Sequence, residues 1–339
     1  MLAGGERMTR YPIKTETSDH RMLPGRARVR HYRAPEAVPL DRPVRRPPSI
    51  RIPPARTPAP RRRRRAPVHR PPVVHPMLLE RDPAYVERAM PLLQAISDHY
   101  YRAEVEGSEH LSDRGSLLVS THNGGAALPD TLAFLVAFHR RFGAQAPLHG
   151  LVHKIVLRLP GFRTAAPSFG ALLASQESGE AALKADRPLI VMPGGDLDAL
   201  KPFRQRHQIT FGPRRGFIRL ALRNRVPIIP VVSVGAHETF FVLNDGRWLA
   251  ELSGLKRLMR VKTVPFTFSF PFGLGLAGVP SIPLPSKIKM RILPPIELRE
   301  RASAADDPAA VERCFEQVRQ TMQAGVDELA ARRRFPVFG

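Results

Sequence analysis

Residues 115–138 read GSLLVSTHNGGAALPDTLAFLVAF, and this stretch decides the fold. The apolar run near its start is typical of a buried strand, and the apolar residues after Pro129 recur at helical spacing. Between the two runs lie a histidine, two glycines and an aspartate. Open α/β sheets bind ligands beyond the carboxyl ends of their strands, so a polar turn in this position is a candidate site.

Short β-rich runs and longer helical segments alternate along the rest of the chain. Further strands are predicted at 187–195, 226–235 and 286–293, and helices at 129–142, 214–224 and 307–334. This alternation indicates an α/β domain with a largely parallel central sheet flanked by helices. Residues 82–107 also show helical spacing, although Pro91 is expected to break or kink that helix.

The positive charge of the chain is concentrated at its N-terminus. Residues 1–75 hold 19 of the 53 lysines and arginines, 5 of the 30 acidic residues and 14 of the 36 prolines, so they carry +14 of the formal net charge of +23. Such a segment buries too little apolar surface to offset its ordering entropy. We therefore predict a disordered basic arm over 1–75 and one folded domain over 76–339. The arm is either merely solvated or a binding element for anions such as acidic lipid headgroups or nucleic acid.

Cysteine content and the early sequence bear on the expected location. Cys314 is the only cysteine, which excludes an internal disulfide framework and fits a reducing compartment. No apolar stretch follows the early basic residues, so no signal peptide is predicted. The expected location is cytoplasmic, with peripheral attachment to a membrane.

Residues 263–286 carry no charge over 24 positions, which is long enough for a membrane-spanning helix. Five prolines and three glycines within them argue against such a helix. Two interpretations stay open: a buried loop and strand, or a functional element that is either an apolar lid or a membrane-contacting surface. Both leave any membrane attachment peripheral.

The polar turn in the opening stretch contains groups suited to acid–base chemistry. His122 can act as a general base toward a hydroxyl or water, and Asp130 can orient the imidazole and stabilise its protonated form. Gly124 and Gly125 permit close approach of the backbone to a ligand. The alternative is a structural turn that happens to contain these residues.

A second candidate turn, VMPGGD at 191–196, also follows an apolar run. Its glycines expose backbone N–H groups that can hold an anion or a developing oxyanion, and Asp196 lies beside them. Downstream, Arg214 opens a helix that leads into a buried strand, which we expect to end at Pro230.

The order and spacing of these turns resembles the glycerolipid (lysophospholipid) acyltransferase superfamily, in particular its monoacylglycerol/diacylglycerol acyltransferase-like branch. In that family a first block holds a histidine followed by an aspartate, with glycine between them; seven residues separate His122 from Asp130 here. LPGFRTAAPSFGALLASQESGEAAL at 159–183 resembles the second block, MPGGD at 192–196 the third, and VPIIPVVSVGAHETF at 226–240 the fourth.

The resemblance implies a glycerol-3-phosphate acyltransferase-like fold and acyl transfer from acyl-CoA or an acyl carrier protein to the hydroxyl of a lipid acceptor. His122, oriented by Asp130, would remove the hydroxyl proton without a covalent acyl-enzyme. The resemblance implies neither a metal nor a cofactor besides the thioester co-substrate. The predicted catalytic residues are His122 and Asp130. The predicted substrate-binding residues are Gly124, Gly125, Gly161, Pro193, Gly194, Gly195, Asp196, Lys201, Arg204, Arg214 and Pro230.

The third block departs from the family's commonest form, in which an arginine holds the acceptor's phosphate. The matching region here contains Asp196 and Asp198. Two carboxylates would repel a phosphate, so the sequence favours an uncharged acceptor such as a mono- or diacylglycerol. Lys201, Arg204 or Arg214 would remove that preference by folding over the site.

Two other classes of function stay open. An α/β lipid esterase would also use a histidine and an aspartate, but it needs an exposed nucleophilic serine that the sequence does not place. A nucleic-acid-binding protein would account for the basic arm but not for the two glycine turns. His149 and His153 have the four-residue spacing of metal ligands on a helix, although no third ligand accompanies them.

Overall fold

Strands and helices alternate along the described part of the chain. A computed structural model describes residues 76–125, 128–239, 241–244, 266–269, 273–276, 282–335 and 337–339. The strands are β1 (Glu104–Glu106), β2 (Leu117–Ser120), β3 (His149–Val152), β4 (Ala171–Leu173), β5 (Leu189–Val191), β6 (Ile228–Val234), β7 (Phe241–Asn244), β8 (Phe266–Ser269), β9 (Gly273–Leu276) and β10 (Lys289–Ile292). The helices are α1 (Pro83–Ala95), α2 (Pro129–Phe142), α3 (Phe162–Ser168), α4 (Gln176–Lys184), α5 (Asp196–Ala199), α6 (Gly216–Asn224) and α7 (Pro308–Ala331). The predicted arm over 1–75 lies outside the described residues.

Seven strands form the central sheet in the order β1-β10-β6-β2-β5-β3-β4. From β6 to β4 all neighbouring pairs are parallel, whereas β10 is antiparallel to β6 and β1 is parallel to β10. The prediction of an α/β fold with a largely parallel sheet flanked by helices is therefore confirmed. The carboxyl ends of β2, β5 and β6 lie side by side, which brings the turns that follow them to one edge of the sheet.

Helices cover both faces of the sheet because the buried strands are apolar on both sides. Along β2, Leu117 and Val119 pack into a core cluster with Phe315 of α7, whereas Leu118 packs with Phe134 of α2 on the opposite face. This alternation follows from the two-residue period of a strand. Burying each large apolar side chain contributes about 1.5–3 kcal/mol, so the two clusters hold the polar turns at the edge in place.

Of the break or kink expected at Pro91, the break does not occur, because α1 runs through this residue to Ala95. Pro91 lies on the exposed side of the helix. The carbonyl group that loses its intrahelical partner there can be hydrated, which lowers the cost of an internal proline. One π-helical turn, Ile96–Tyr100, extends the helix further.

The buried strand expected to end at Pro230 continues to Val234. Pro230 is buried within β6, and its carbonyl oxygen accepts a hydrogen bond from Leu293 N at 2.9 Å. Its missing N–H faces the position just past the end of β10, whose last residue, Ile292, pairs with Val231. Pro230 is therefore a strand residue inside the sheet, and its predicted substrate-binding role is not supported.

A second, smaller sheet contains part of the uncharged segment 263–286. Strands β7, β8 and β9 pair antiparallel in that order. Within this segment, 266–269 and 273–276 form strands, residues 283–286 do not, and Phe268 and Ile282 are exposed. Both interpretations stay predictions, and the remainder of the segment lies outside the described residues. Among the residues that the structure describes, no helix is long and apolar enough to cross a membrane.

Candidate active site

Three turns meet at the carboxyl edge of the parallel strands. The turn after β2 carries His122, the turn after β5 carries the two glycines of the third block, and the turn after β6 carries His237. Because the strands are neighbours in the order β6-β2-β5, the histidine of the first block lies between the other two turns. The structure therefore brings together the first, third and fourth blocks.

His122 is partly exposed and is held by its backbone. Its N–H donates to Asp198 Oδ2 at 2.8 Å. The side-chain Nδ1 is buried and makes no hydrogen bond within the described residues. Desolvation lowers the pKa of His122 below its ordinary value, against the opposing effect of the nearby Asp198 carboxylate. The imidazole is therefore neutral near neutral pH, which is the form that a general base requires.

Asp130, the predicted partner of His122, lies in the first turn of α2 and is buried. Its Oδ2 accepts the N–H of Asn123 at 2.6 Å, and its Oδ1 accepts the N–H of Thr131 at 2.8 Å. The hydrogen bonds of the described residues include none between Asp130 and His122. Asp130 thus fixes the backbone next to the histidine, and its role toward the imidazole stays a prediction.

The central polar group of the site is Asp198, which the sequence analysis treated only as a replacement for an arginine. Its carboxylate is buried and accepts three hydrogen bonds: from His122 N, from Lys201 Nζ at 2.8 Å and from Thr210 N at 3.1 Å. The backbone oxygen of Asp198 lies 3.0 Å from His237 Nε2. One carboxylate therefore ties the turn of the first block to that of the third.

Lys201 is not available to hold a substrate phosphate. The residue is buried, and its ammonium group donates to Asp198 and, at 2.6 Å, to the carbonyl oxygen of Gln208. The buried ion pair between Lys201 and Asp198 removes the free negative charge that the sequence placed here. The side chain of Lys201 thus points into the protein and donates to two of its groups, so this geometry does not support the binding role, which stays a prediction.

Arg214 folds over the glycine turn of the third block. Its guanidinium donates to the carbonyl oxygens of Pro193, at 2.9 Å, and Gly194, and to Asp196 Oδ1 at 2.6 Å. Both carboxylates of the block are thus paired with a cation of the protein. The repulsion of a phosphate that we expected from Asp196 and Asp198 is offset, so this argument for an uncharged acceptor does not hold as first stated. Arg204, which lies between Lys201 and Arg214 in the sequence, is exposed.

Two glycines of the site are required by close approaches of the backbone. A Cβ atom on Gly194 would lie 2.2 Å from Asp198 Cβ, so no side chain fits between the turn and the buried carboxylate. Gly124 has a φ of +83°, and a Cβ there would lie 2.4 Å from Pro129 Cγ. The N–H of Gly195 donates to Met192 O at 3.1 Å, so oxyanion binding at this turn rests on other N–H groups and stays a prediction.

The remaining predicted residues lie around this centre. Gly125 adopts a φ of +56° in the loop of the first block. Gly161 is exposed and precedes α3 in the loop after β3, which reaches the same edge of the sheet. His149 begins strand β3, so its spacing from His153 is that of a strand and not of a helix.

The described residues offer no nucleophile at this edge. Ser233 is buried, and its hydroxyl oxygen lies 3.2 Å from Thr121 Oγ1 and accepts from Asn123 Nδ2 at 3.0 Å. Ser120 is buried too, and its hydroxyl donates to Thr121 O at 2.9 Å. Cys314 lies in α7, and burial raises the pKa of its thiol to about 11. These groups favour direct transfer over a serine or cysteine acyl-enzyme.

Comparison with known proteins assigns the family. An uncharacterized protein of Mycobacterium tuberculosis is 34% identical to this chain over 250 residues, which cover 74% of this chain and 67% of that protein. A family model described as diacylglycerol acyltransferase matches residues 145–307, which include the second, third and fourth blocks. The chain belongs to the glycerolipid acyltransferase family. It is an acyltransferase, as the resemblance of the blocks predicted.

Two further comparisons describe more distant proteins. Diacylglycerol O-acyltransferase 2B of Umbelopsis ramanniana is 26% identical to the acyltransferase over 160 residues, which cover 45% of each chain. The crystal structure of the 1-acyl-sn-glycerophosphate acyltransferase PlsC from Thermotoga maritima aligns with a TM-score of 0.45 and 17% identity, covering 74% of this chain and 84% of that one. The matched family region begins after His122 and Asp130, so the roles of these two residues rest on the geometry alone.

Proposed function

We propose that the acyltransferase moves a fatty acyl group from the thioester of acyl-CoA or of an acyl carrier protein to a hydroxyl of a glycerolipid. The observation that carries this proposal is His122, a partly exposed histidine at the carboxyl edge of the sheet whose desolvated imidazole is neutral near pH 7. Its position there is fixed through its backbone by a buried carboxylate. Such a group is placed to take a proton from a hydroxyl that approaches the edge.

The proposed reaction is a single displacement. As His122 removes the hydroxyl proton, the acceptor oxygen attacks the thioester carbonyl carbon and forms a tetrahedral oxyanion. Backbone N–H groups of the glycine turns stabilise that oxyanion. The carbon–sulfur bond then breaks, and the imidazolium returns its proton to the departing thiolate. The products are an ester and a free thiol.

The ionisation of Asp130 gives this mechanism a pH dependence. Burial raises the pKa of Asp130 to about 7, although two backbone N–H groups oppose the shift. If the carboxylate form supports the imidazolium, kcat/KM should rise about tenfold per pH unit up to about pH 7 and then level off. Desolvation lowers the pKa of His122, so its neutral base form predominates near pH 7.

The matched variant for this pH profile is Asp130→Asn, which keeps an oxygen acceptor but cannot ionise. We expect its kcat/KM to lose the rising limb near pH 7. Steady-state kinetics of both proteins between pH 5 and 9 make the comparison. A limb that persists unchanged in Asp130→Asn assigns the ionisation to another group and removes Asp130 from the mechanism.

We further propose an uncharged glycerolipid as the acceptor. The reason is that few cations of the described site are free to bind a phosphate, and not repulsion by Asp196 and Asp198. Lys201 and Arg214 are engaged by groups of the protein itself, so of the three cations predicted to bind substrate only Arg204 is exposed. A phosphate is usually held by arginine in bidentate contacts, and Arg214 already donates three hydrogen bonds to two carbonyl groups and a carboxylate of the protein. The similarity to diacylglycerol acyltransferases points in the same direction.

Peripheral contact with an anionic membrane is the remaining part of the proposal. The small sheet β7-β8-β9 follows the turn that carries His237, and Leu243 and Phe268 on it are exposed. Exposed apolar side chains near a lipid-processing site suit contact with a bilayer.

Mass spectrometry of the purified full chain tests donor, acceptor and reaction class together. The protein is incubated with acyl-CoA or with acylated carrier protein, each with monoacylglycerol, diacylglycerol and lysophosphatidic acid at equal concentrations. We expect diacylglycerol or triacylglycerol as the main product, and no release of fatty acid when acceptor is present. Free fatty acid as the main product would make the protein an esterase, and phosphatidic acid would overturn the uncharged acceptor.

A further inference from the structure

The segment between β3 and α3, residues 153–163, reads HKIVLRLPGFR and lies at the same edge of the sheet as His122. It follows the carboxyl end of β3, the second neighbour of β2 in the sheet. We call it the β3–α3 segment. Its backbone is organised in successive turns, since Arg158 N donates to Ile155 O at 3.1 Å and Arg163 N to Leu159 O at 3.1 Å.

Three large apolar side chains of the β3–α3 segment face solvent. Ile155 is 60% exposed, and Leu159 and Phe162 are each 44% exposed. All three lie within the turns that lead from β3 into α3. Single exposed apolar residues are common on proteins, but three neighbours of this size form a patch that is costly to leave in water.

Three cations alternate with these apolar residues. Lys154, Arg158 and Arg163 are all exposed, and none makes a salt bridge with a described residue. Some other exposed cations of the acyltransferase are paired, as Arg114 is with Asp186, whereas this segment contains no acidic residue at all. The segment thus presents a positive surface without a counter-charge of its own.

The β3–α3 segment is part of a wider pattern. Among the described residues, the large exposed apolar side chains lie at or beyond this edge with two exceptions, Leu79 and Leu92. The residues that share the edge with the segment are Leu173 at the end of β4, Leu243 and Phe268 of the small sheet, Ile282, and Phe335 and Phe338 of the C-terminal tail.

We propose that the β3–α3 segment is a membrane-binding element that inserts Ile155, Leu159 and Phe162 into the interface of an anionic bilayer. Apolar side chains interleaved with lysine and arginine are the chemistry by which peripheral proteins hold such a surface. The inference rests on the proposed function, because a lipid acceptor would then enter the site directly from the bilayer. An acidic protein such as a carrier protein would use the cations but would not require three large apolar side chains along one edge.

Three variants of the full chain test this element. The apolar variant carries Ile155→Ser, Leu159→Ser and Phe162→Ser, and the charge variant carries Lys154→Glu, Arg158→Glu and Arg163→Glu. The control carries Leu79→Ser and Leu92→Ser, which remove exposed apolar side chains of similar size elsewhere. The N-terminal residues 1–75 are present in all of them, so any lipid binding by that region is common to all four proteins.

Flotation with vesicles of phosphatidylcholine, with and without phosphatidylglycerol, measures binding. We expect the apolar variant to lose more than tenfold in partitioning to anionic vesicles. In the charge variant, the preference for anionic over neutral vesicles should fall about fivefold per cation. The control should match the unmodified protein. Unchanged flotation of both test variants would overturn the proposal.

Two additional measurements separate this proposal from its alternatives. Transfer to a short-chain, water-soluble acceptor is measured for all four proteins. Its loss in every protein would contradict the proposed function, whereas its loss in the two test variants alone would place these side chains in the substrate site and overturn the membrane-binding element. Transfer from acylated carrier protein to the same soluble acceptor should also be unaffected by the charge variant. If that reaction fails while flotation persists, the surface binds a carrier protein and the membrane assignment is wrong. Thermal unfolding confirms that each variant is folded.

Discussion

Replacing His122 by alanine should lower the turnover of acyl transfer by about 10²–10⁴-fold, the usual contribution of a general base. The loss follows because no other described group at this edge can take the hydroxyl proton as readily. His237 Nε2–H donates to Asp198 O and the residue is buried, and burial holds its pKa well below the ordinary value. The residual rate should come from binding and orientation of the two substrates.

The measurement for His122→Ala is single-turnover transfer from acyl-CoA, with far-UV circular dichroism and thermal unfolding as checks on the fold. The backbone N–H that Asp198 accepts remains in the variant, so we expect little change in stability. His99→Ala is the control, since His99 is exposed on the π-helical turn away from the site. Near-normal turnover in folded His122→Ala would remove this residue as the base.

Replacing Asp198 by alanine should damage both stability and activity. The change leaves the Lys201 ammonium group buried without its carboxylate, and breaking a buried pair in this way typically costs about 3–5 kcal/mol of unfolding free energy. It also releases the backbone of His122, and a displacement of about 1 Å at a reacting group can lower the rate about 10²-fold. Urea unfolding and turnover measure the two effects.

Asp196→Ala is the matched control for Asp198→Ala, because both aspartates pair with a cation in the same turn. The pair between Asp196 and Arg214 is surface-exposed, so its loss should cost at most about 1 kcal/mol. The double variant Asp198→Ala, Lys201→Met should recover part of the stability by removing the unpaired ammonium group. If Asp198→Ala proves as stable as Asp196→Ala, the Asp198–Lys201 pair does not stabilise the site.

The fold was predictable because its determinants are local. The apolar run at 117–119 and the helical spacing after Pro129 each specify one element, and the turn between them is placed by topology. The same reasoning located His122 at the correct edge. The strand was expected to end at Pro230, but the end of a strand depends on the strands that pair with it. The pairing of β10 with β6 stops at Val231, so the proline interrupts no hydrogen bond between these two strands.

The interior of the site was less predictable, since burial distinguishes residues of identical chemistry. Asp196 and Asp198 are two residues apart and look equivalent in the sequence. Asp198 is a buried acceptor because it accepts the N–H groups of His122, which is distant in the sequence, and of Thr210, which lies in a separate loop. Arg214 likewise contacts a glycine turn that lies about twenty residues earlier in the sequence, and no local sequence pattern predicts that contact.

The exposed apolar residues of the β3–α3 segment were unpredictable for the opposite reason. Isoleucine, leucine and phenylalanine at helical spacing usually form a core-facing stripe, so the sequence directed attention to the uncharged segment 263–286 instead. Only the fold shows that Ile155, Leu159 and Phe162 remain in solvent.

The state of Cys314 makes the acyltransferase convenient for fluorescence work. It is the only thiol in the chain, it is buried, and a pKa of about 11 leaves only about one part in ten thousand as thiolate at pH 7. A maleimide dye would therefore not label the native protein. It would react selectively with the thiol introduced by Phe162→Cys or, at a distant reference position, by Leu92→Cys. Emission from a polarity-sensitive dye at these two positions would report, residue by residue, which surface leaves water when vesicles are added.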